Sequence, residues 1–383
     1  MRPKLSCELN DMETGHQAGP GSRPILIFPG GMPRSLEYLQ KCLRDEQAVI
    51  GASSLEHDVA RDKYPAWLHL PYITRPEFNA SLKQAILEFN IGGVYSPNPV
   101  VWNYLHRVLK ELVPSVPLIN GSPVDAELGG FRSAGEHARA LLQYPLPLAS
   151  NTSVKPPLPE IELAALFRHA DVIPGMCDHE KLCALYEIAR HCPPGDVVEI
   201  GSWWGKSAFV LSRLAYCYGV GKLLCVDPWS NEHLVQQDKQ GLVDSGSAQV
   251  DAEEALRVFE MNLLPYNVNH VNYLRMPSTD GAKYYRVHLD VTTAAFGTTR
   301  YCGRIAILHI DGNHSYAAAK ADIAAWSGFV AAGGWIIVDD YVWPYGDGPQ
   351  RAGDEFMAGN LEQIDVAFVM GSALFIQLSS RPD

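Results

Sequence analysis

The sequence has no basic cluster. Its 383 residues carry 31 Lys and Arg against 43 Asp and Glu, a formal net charge of −12. The clustered positive charge that neutralises phosphates is missing, which argues against nucleic acid as the main partner. There is no apolar run of membrane-spanning length. Residues 1–23 are polar, contain Gly and Pro, and lack the apolar stretch of a signal peptide, so they read as a disordered leader. The eight cysteines include no C-x-x-C pair and no zinc spacing. Several lie within apolar runs, where a free thiol acts as a small hydrophobe. This usage fits a reduced, cytoplasmic protein. With 47% hydrophobic and 19% charged residues, the chain can bury a sizeable core, and its length suits two domains.

What is present is a repeating alternation of short apolar strands and helices. Pro24 to Gly31 (PILIFPGG), Ala48 to Ser54, Trp67 to Ile73, Gly92 to Asn98 and Val116 to Gly121 are strand-like. Helical stretches from Ser35 to Arg44, Glu77 to Asn90 and Val100 to Val113 lie between them. Such alternation implies βαβ units and a parallel sheet. Residues 24–150 are therefore expected to form a smaller, doubly wound α/β auxiliary domain. Its Pro29–Gly31 turn lacks the Lys and Ser/Thr of a P-loop, so it reads as a structural turn. The stretches VYSPNPVVWNYL and VPLING faintly resemble the domain that precedes an ATP-grasp fold in carboxylate–amine ligases, without covering a catalytic residue. A short helix is expected from Ala134 to Leu142, and the proline-rich residues 151–160 read as a linker.

The C-terminal part, residues 161–383, is organised around Asp196 to Ser207, DVVEIGSWWGKS. An apolar strand there feeds a turn bracketed by Gly201 and Gly205, and the apolar helix of AFVLSRLA follows. A helix N-terminus with free N–H groups suits an anionic or carboxylate-bearing ligand. Glu199, at the strand's carboxyl end, suits an ammonium group or a ribose hydroxyl. The spacing E-x-G-x-x-x-G lacks the first glycine of the dinucleotide fingerprint. LLCVDPW places Asp227 where doubly wound folds put an acid for ribose hydroxyls. Ala306 to Tyr316 (AILHIDGNHSY) and Gly333 to Tyr341 (GGWIIVDDY) are two more strands ending in carboxylates. Four strands thus finish in polar residues at the edge of the sheet where α/β proteins bind ligands.

Asp311, Asp339 and Asp340 would repel one another and raise each other's pKa unless a cation neutralises them. Oxygen-only ligands suit Mg²⁺, Mn²⁺ or Ca²⁺ rather than zinc. His314, three residues after Asp311, is the candidate general base for a metal-bound hydroxyl. His309, inside the strand, reads as a packing residue. Two helices are expected between Ile161 and Cys192, broken at Asp171 to Glu180 by a segment placed to flap over a cofactor. Ser230 to Asp251 is expected to be a mobile loop over the site, Lys320 to Val330 a helix, and Ala331 to Gly334 its C-cap turn.

The E-x-G-x-x-x-G stretch resembles motif I of the class I S-adenosylmethionine (SAM) methyltransferases. Taken in order, VVEIGSWWGKSA, CVDPW, HIDGNHSYAAAKADIAAW and GGWIIVDDY resemble the metal-dependent O-methyltransferases of the macrocin and mycinamicin sugar type, and also cephalosporin-hydroxylase-like proteins. The resemblance covers Asp171 to about Leu378. It implies a Rossmann-like domain with a seven-stranded, mostly parallel sheet. It further implies SAM as cofactor, Mg²⁺ (or Mn²⁺) on Asp311, Asp339 and Asp340, and His314 as base with Asp311 beside it. Carried across residue by residue, Glu199, Gly201, Ser202 and Gly205 would line the methionine side of SAM, and Asp227 and Trp229 the ribose. Arg275, Met276 and Ser278 would lie toward the adenine region. Of Trp203 and Trp204, one is expected to pack under the helix and the other to face solvent or substrate. Tyr316, Tyr341, Trp343 and Tyr345 form an aromatic set suited to stacking on a sugar. Asp339 stands where the family can have Glu, a shorter arm that bears on metal preference.

The expected activity is O-methylation of a hydroxyl on a small polar natural product, a sugar or glycoside, by a homo-oligomer (dimer or tetramer) with neither nucleic acid nor membrane as partner. The competing readings are a non-catalytic SAM-binding partner or scaffold, and a nucleotide-dependent enzyme working through the N-terminal domain.

Overall fold

The structure, a computed structural model, describes residues 8–9, 23–148, 154–233, 235–236, 240–247, 249–266 and 269–380. Most of the expected leader and residues 151–153 of the expected linker lie outside them. Contacts divide the chain into two compact units, residues 1–130 and 131–383.

In the first unit, β1 (Glu8–Leu9), β2 (Ile25–Ile27), β3 (Val49–Ser53), β4 (Ala66–His69) and β5 (Gly93–Tyr95) form a sheet in the order β1-β4-β3-β2-β5. All neighbours are parallel except β1, which runs antiparallel to β4. Leu26 and Ile27 pack into different apolar clusters on the two faces, as residues one apart on a strand must. The VPLING stretch is not a full strand and contributes only a bridge between Val94 and Leu118. The helix expected from Ala134 begins much earlier, spanning Pro123–Gln143 through two glycines. Its later residues Ala134, Ala138 and Leu141 share a core with Leu163 and Phe167 of the second unit. That is why the division falls at residue 130, ahead of the prolines near Asn151.

The second unit holds β6 (Asp196–Ile200), β7 (Leu223–Val226), β8 (Val271–Leu274), β9 (Asp290–Thr293), β10 (Gly297–Arg300), β11 (Ile305–Ile310), β12 (Val330–Val338), β13 (Ile364–Met370) and β14 (Ala373–Leu378). Seven of them make one sheet in the order β13-β14-β12-β11-β6-β7-β8. The five from β12 to β8 are parallel, and β14 and β13 are antiparallel additions. The central strands are buried on both faces. Val197, Leu223 and Ile307 pack on one side with Phe209 of the helix Lys206–Tyr218. Val198, Leu224 and Leu308 pack on the other with Ile323 and Trp326 of the helix Tyr316–Trp326.

Two expectations change here. The helix before β12 ends at Trp326, and Ala331 to Gly334 belong to the strand, because Ile305 pairs with Val330 and the register shifts before Ile307 meets Trp335. The hairpin β9–β10 is an addition that the sequence does not announce, fastened when Asn272 Nδ2 donates to the carbonyls of Val291 and Gly297, both at 2.8 Å. Chain order climbs outward from β6 to β8 and then returns to the other side of β6 with β11. The order of the sheet therefore reverses between β6 and β11, the position at which such sheets open a ligand crevice at the carboxyl ends of the strands.

Candidate active site

That crevice is a cavity of about 870 Å³, within the range of small-molecule sites. Its floor is the turn after β6. Gly201 has φ +79°, and a Cβ there would lie 2.0 Å from the carbonyl oxygen of Asp311, so only glycine lets β6 and β11 end side by side. Gly205, at φ +88°, caps the helix Lys206–Tyr218 with its backbone facing the cavity. The turn is held from the next strand. Asp227 Oδ2 accepts from the backbone N–H of Ser202 (2.9 Å) and Trp203 (3.0 Å), and Oδ1 from that of Trp229 (2.7 Å). Trp203 and Trp229 both have positive φ, 45° and 37°, strain of the kind that persists where surrounding contacts over-determine a site. Burial pushes the pKa of Asp227 upward against those three N–H donors.

Gly201, Ser202, Gly205, Asp227 and Ser278 stand on the cavity wall, as do Asp311, His314, Asp339 and Asp340. Glu199 and Trp229 lie behind it. Glu199 is fully buried, accepts from Ser202 Oγ at 2.6 Å and sits 3.1 Å from His309 Nδ1. Trp229 packs against Phe259 in the core, and its Nε1 donates to the carbonyl of Trp203 at 3.0 Å. Ser278 Oγ accepts from Trp326 Nε1. Arg275 donates to the carbonyl of Trp229 and pairs with Glu253, and Met276 packs against the core. Trp203 and Trp204 both reach the cavity, with ring centroids 5.2 Å apart. The break between the helices Glu160–Val172 and His179–His191 contributes Pro174 to Cys177 to the wall.

The carboxylates are more differentiated than their spacing suggests. Asp339 and Asp340 are consecutive but face different partners. Asp339 Oδ1 accepts from the Asp340 backbone N–H (3.0 Å) and from Ser372 Oγ (3.3 Å). Its Oδ2 is paired with Lys181 Nζ. Asp340, at φ +49°, turns outward and brings Oδ2 to 2.9 Å from His314 Nε2. Asp311 stands between them, with Oδ2 3.9 Å from Lys181 Nζ and Oδ1 4.0 Å from His314 Nε2.

The charges follow from this arrangement. Burial alone would raise the pKa of Asp339, but Lys181 and His309 hold it well below the usual carboxylate range. Asp311 is raised by burial and by the charge of Asp339. Burial opposes protonation of His309 and His314, yet their carboxylate neighbours prevail and move each up to about 9.

Nothing in the pattern of Asp178 to Lys181 (DHEK) marks Lys181, since a charged run at a helix start reads as solvated surface. His309 is buried, as a packing residue would be, but it also joins Glu199 to the acids. Two further contacts were not legible in the sequence. Asn313 Nδ2 donates to the carbonyl of Val235 (2.6 Å), and Gln236 Oε1 accepts from the backbone N–H of His314 (2.9 Å), tying the 230–251 segment across the site. That segment contains a short 3-10 turn and the helix Leu242–Ser247; residues 234, 237–239 and 248 lie outside the described residues. In the aromatic set, Trp343 packs on His314 (4.6 Å between centroids) and on Tyr345 (5.5 Å). Tyr341 donates to Asp354, and Tyr316 donates to Glu355, both on the helix Gly348–Gly359.

The donor set fits a hard cation. Asp311, His314 and Asp340 each place one ligand atom within 4.8 Å of the others. Both ring nitrogens of His314 are buried without a hydrogen bond, Nε2 lying off the line of a good bond to Asp340 despite its closeness.

Fold and site together define a Rossmann-like domain: a central parallel sheet, a glycine turn under an acid-anchored ligand crevice, and polar groups at the strand ends. Residues 198–341 match the family model described as a methyltransferase domain, so the second unit carries a methyltransferase domain. No curated protein is similar enough in sequence to match. Among solved structures, the O-methyltransferase NovP is 18% identical over 52% of this chain and 79% of its own, with a TM-score of 0.38. CalS11, a TDP-rhamnose 3'-O-methyltransferase of calicheamicin biosynthesis, is 15% identical over 68% and 96%, at 0.35. The SAH-bound Podospora anserina methyltransferase PaMTH1 is 13% identical over 68% and 98%, at 0.37. Among the described residues no helix is long and apolar enough to cross a membrane.

Proposed function

We propose that the chain is a SAM- and divalent-metal-dependent O-methyltransferase acting on a hydroxyl of a small polar natural product, a sugar or glycoside. The observation that carries this reading is the meeting, in one cavity, of the motif I turn with His314 and the acids that end β11 and β12. The sugar class rests on the resemblance of DGNHSY and DDY to the macrocin and mycinamicin type.

SAM supplies an electrophilic methyl sulfonium, and Mg²⁺ or Mn²⁺ held by Asp311 and Asp340 would lower the pKa of an acceptor hydroxyl, Asp339 being taken up by Lys181. The chain's own residues do the rest. The turn Gly201 to Gly205, stiffened by Asp227, positions the cofactor end, and Ser278 bounds its far side. By themselves Asp311 and Asp340 keep His314 protonated; with a cation on those carboxylates that proton would be released, and the neutral imidazole would then receive the hydroxyl proton as the acceptor oxygen takes the methyl group and the bond from sulfur to methyl breaks. Asp340 and Asp311 flank that imidazole and stabilise the imidazolium that results. Trp343 packs on His314 and restricts its ring. Alignment of the two reactants supplies much of the rate.

The test is a screen of glycoside acceptors with SAM and Mg²⁺, followed by His314→Ala on whichever is methylated. Turnover should fall by about 10²-fold or more, while calorimetry shows SAM affinity nearly unchanged. Undiminished turnover would exclude His314 as base. Turnover that is indifferent to a chelator would exclude the metal.

A further inference from the structure

We propose that Lys181 is a resident cation occupying an inner subsite formed by His309, Asp311 and Asp339, and that it leaves the outer side, where Asp311 Oδ1 and Asp340 stand beside His314, for one divalent ion. Only the outer ion rests on the function proposed above; the occupancy of the inner subsite stands on its own geometry.

The ligand atoms of His309, Asp311 and Asp339 lie within 4.8 Å of one another, as do those of the outer set, and Asp311 is common to both. Its two oxygens divide between them: Oδ2 faces Lys181 and Oδ1 faces His314. The inner set is buried. Asp339 is 4% and His309 0% exposed, and His309 Nε2 has no hydrogen-bond partner although it points at Asp339 Oδ2, 3.7 Å away. Two carboxylates and an imidazole so placed need a positive charge among them. The chain delivers it on a rigid element. Lys181 is in the first turn of the helix His179–His191, where Asp178 caps by accepting from the Lys181 backbone N–H at 2.7 Å. Its side chain is 1% exposed. A divalent ion on Asp339 Oδ2 would meet the ammonium at contact distance, so the two cations exclude each other there. Asp340, aimed to the opposite side by its positive φ, has no lysine among these contacts and remains available to an ion. Lys181 is thus a positioning residue: it fixes Asp339, neutralises the inner side of Asp311 and confines the metal to the outer side.

The experiment is titration of the full chain with Mn²⁺, read by calorimetric stoichiometry and by electron paramagnetic resonance of the bound ion. The unaltered protein should bind one Mn²⁺. Lys181→Met keeps the length of the side chain and removes its charge, and should bind two, with a spin-coupled pair in the spectrum. Lys181→Met combined with Asp340→Asn should return to one. A merely structural lysine would not add an ion when removed, so equal stoichiometry in the unaltered and Lys181→Met proteins would overturn the proposal. No ion in the unaltered protein and one in Lys181→Met would uphold the lysine assignment and sink the metal-dependent function. If Lys181→Met fails to fold, Asp339→Asn decides. The single Mn²⁺ should stay bound with affinity changed less than about threefold, because Asp339 serves the lysine; loss of the ion would overturn the proposal.

Discussion

Changing Asp322 to Asn should stabilise the second unit at neutral pH and do progressively less as the solution is acidified. Asp322 lies on the helix Tyr316–Trp326, 7% exposed, on the cavity wall beside Ser278. Burial pushes its pKa from 3.8 up to about 6, the Ser278 hydroxyl offsetting only part of the cost of charge. The folded protein therefore holds this proton to a higher pH than the unfolded chain does. Between about pH 4 and 6 the native state binds more protons, so stability falls as pH rises through that window and stays low above it. A shift of about two units at ~1.4 kcal/mol each sets a ceiling near 3 kcal/mol, and local relaxation makes a gain of about 1–3 kcal/mol the expected value for Asp322→Asn at pH 7.5. For a unit of this size that is a rise in Tm of several degrees, at about 2–4 °C per kcal/mol. The assay is urea or thermal unfolding, followed by tryptophan fluorescence without SAM, at pH 7.5 and pH 5. The gap between variant and parent should narrow by about 1 kcal/mol at the lower pH. A variant less stable than the parent at pH 7.5, or a gap that widens on acidification, would refute the idea that an uncompensated buried charge sits at this position.

Gly201→Ala should abolish SAM binding and destabilise the unit by about 2–5 kcal/mol, from the left-handed backbone and from a Cβ forced against Asp311; an unchanged melting curve would mean that β6 and β11 do not end in contact. Asp227→Asn retains one acceptor oxygen where the turn uses two. Losing charge-assisted bonds worth about 1.5–3 kcal/mol should weaken SAM binding by about 10- to 100-fold in calorimetry, and unaltered affinity would show that the turn keeps its shape without the carboxylate.

Much of the second unit was legible in order along the chain. The apolar run of Val197 to Ile200, the glycines at 201 and 205 and the acid at 227 specify a strand, a tight turn and a neighbouring strand through local rules: burial on both faces, backbone that tolerates positive φ, and a polar residue where the strand leaves the core. The same rules bring out Asp311, Asp339 and Asp340 as strand-end carboxylates and His314 as their neighbour. Where local rules compete with packing they fail. Residues 331–334 look like a helix cap and are strand because β11 offers them a pairing partner. The expected helix starts at Ala134, yet the residues from Pro123 onward, two glycines among them, are helix too, continuous with a segment whose alanines and leucine pack into the core.

The amino-acid sequence by itself determined the βαβ order, the glycine turn and the kinds of chemical group at the strand ends, because each depends on residues a few positions apart. Only the tertiary structure decided which carboxylate faces which cation. Asp339 and Asp340 are adjacent in the chain, yet one is bound by Lys181, 158 residues away, and the other lies against His314. That division arises because helix His179–His191 lies where its first turn reaches the end of β12 and because Asp340 adopts a positive φ. Long-range placement of charge of this kind has no signature in spacing, since its energy comes from burial and Coulombic contact between elements that meet only in the folded chain.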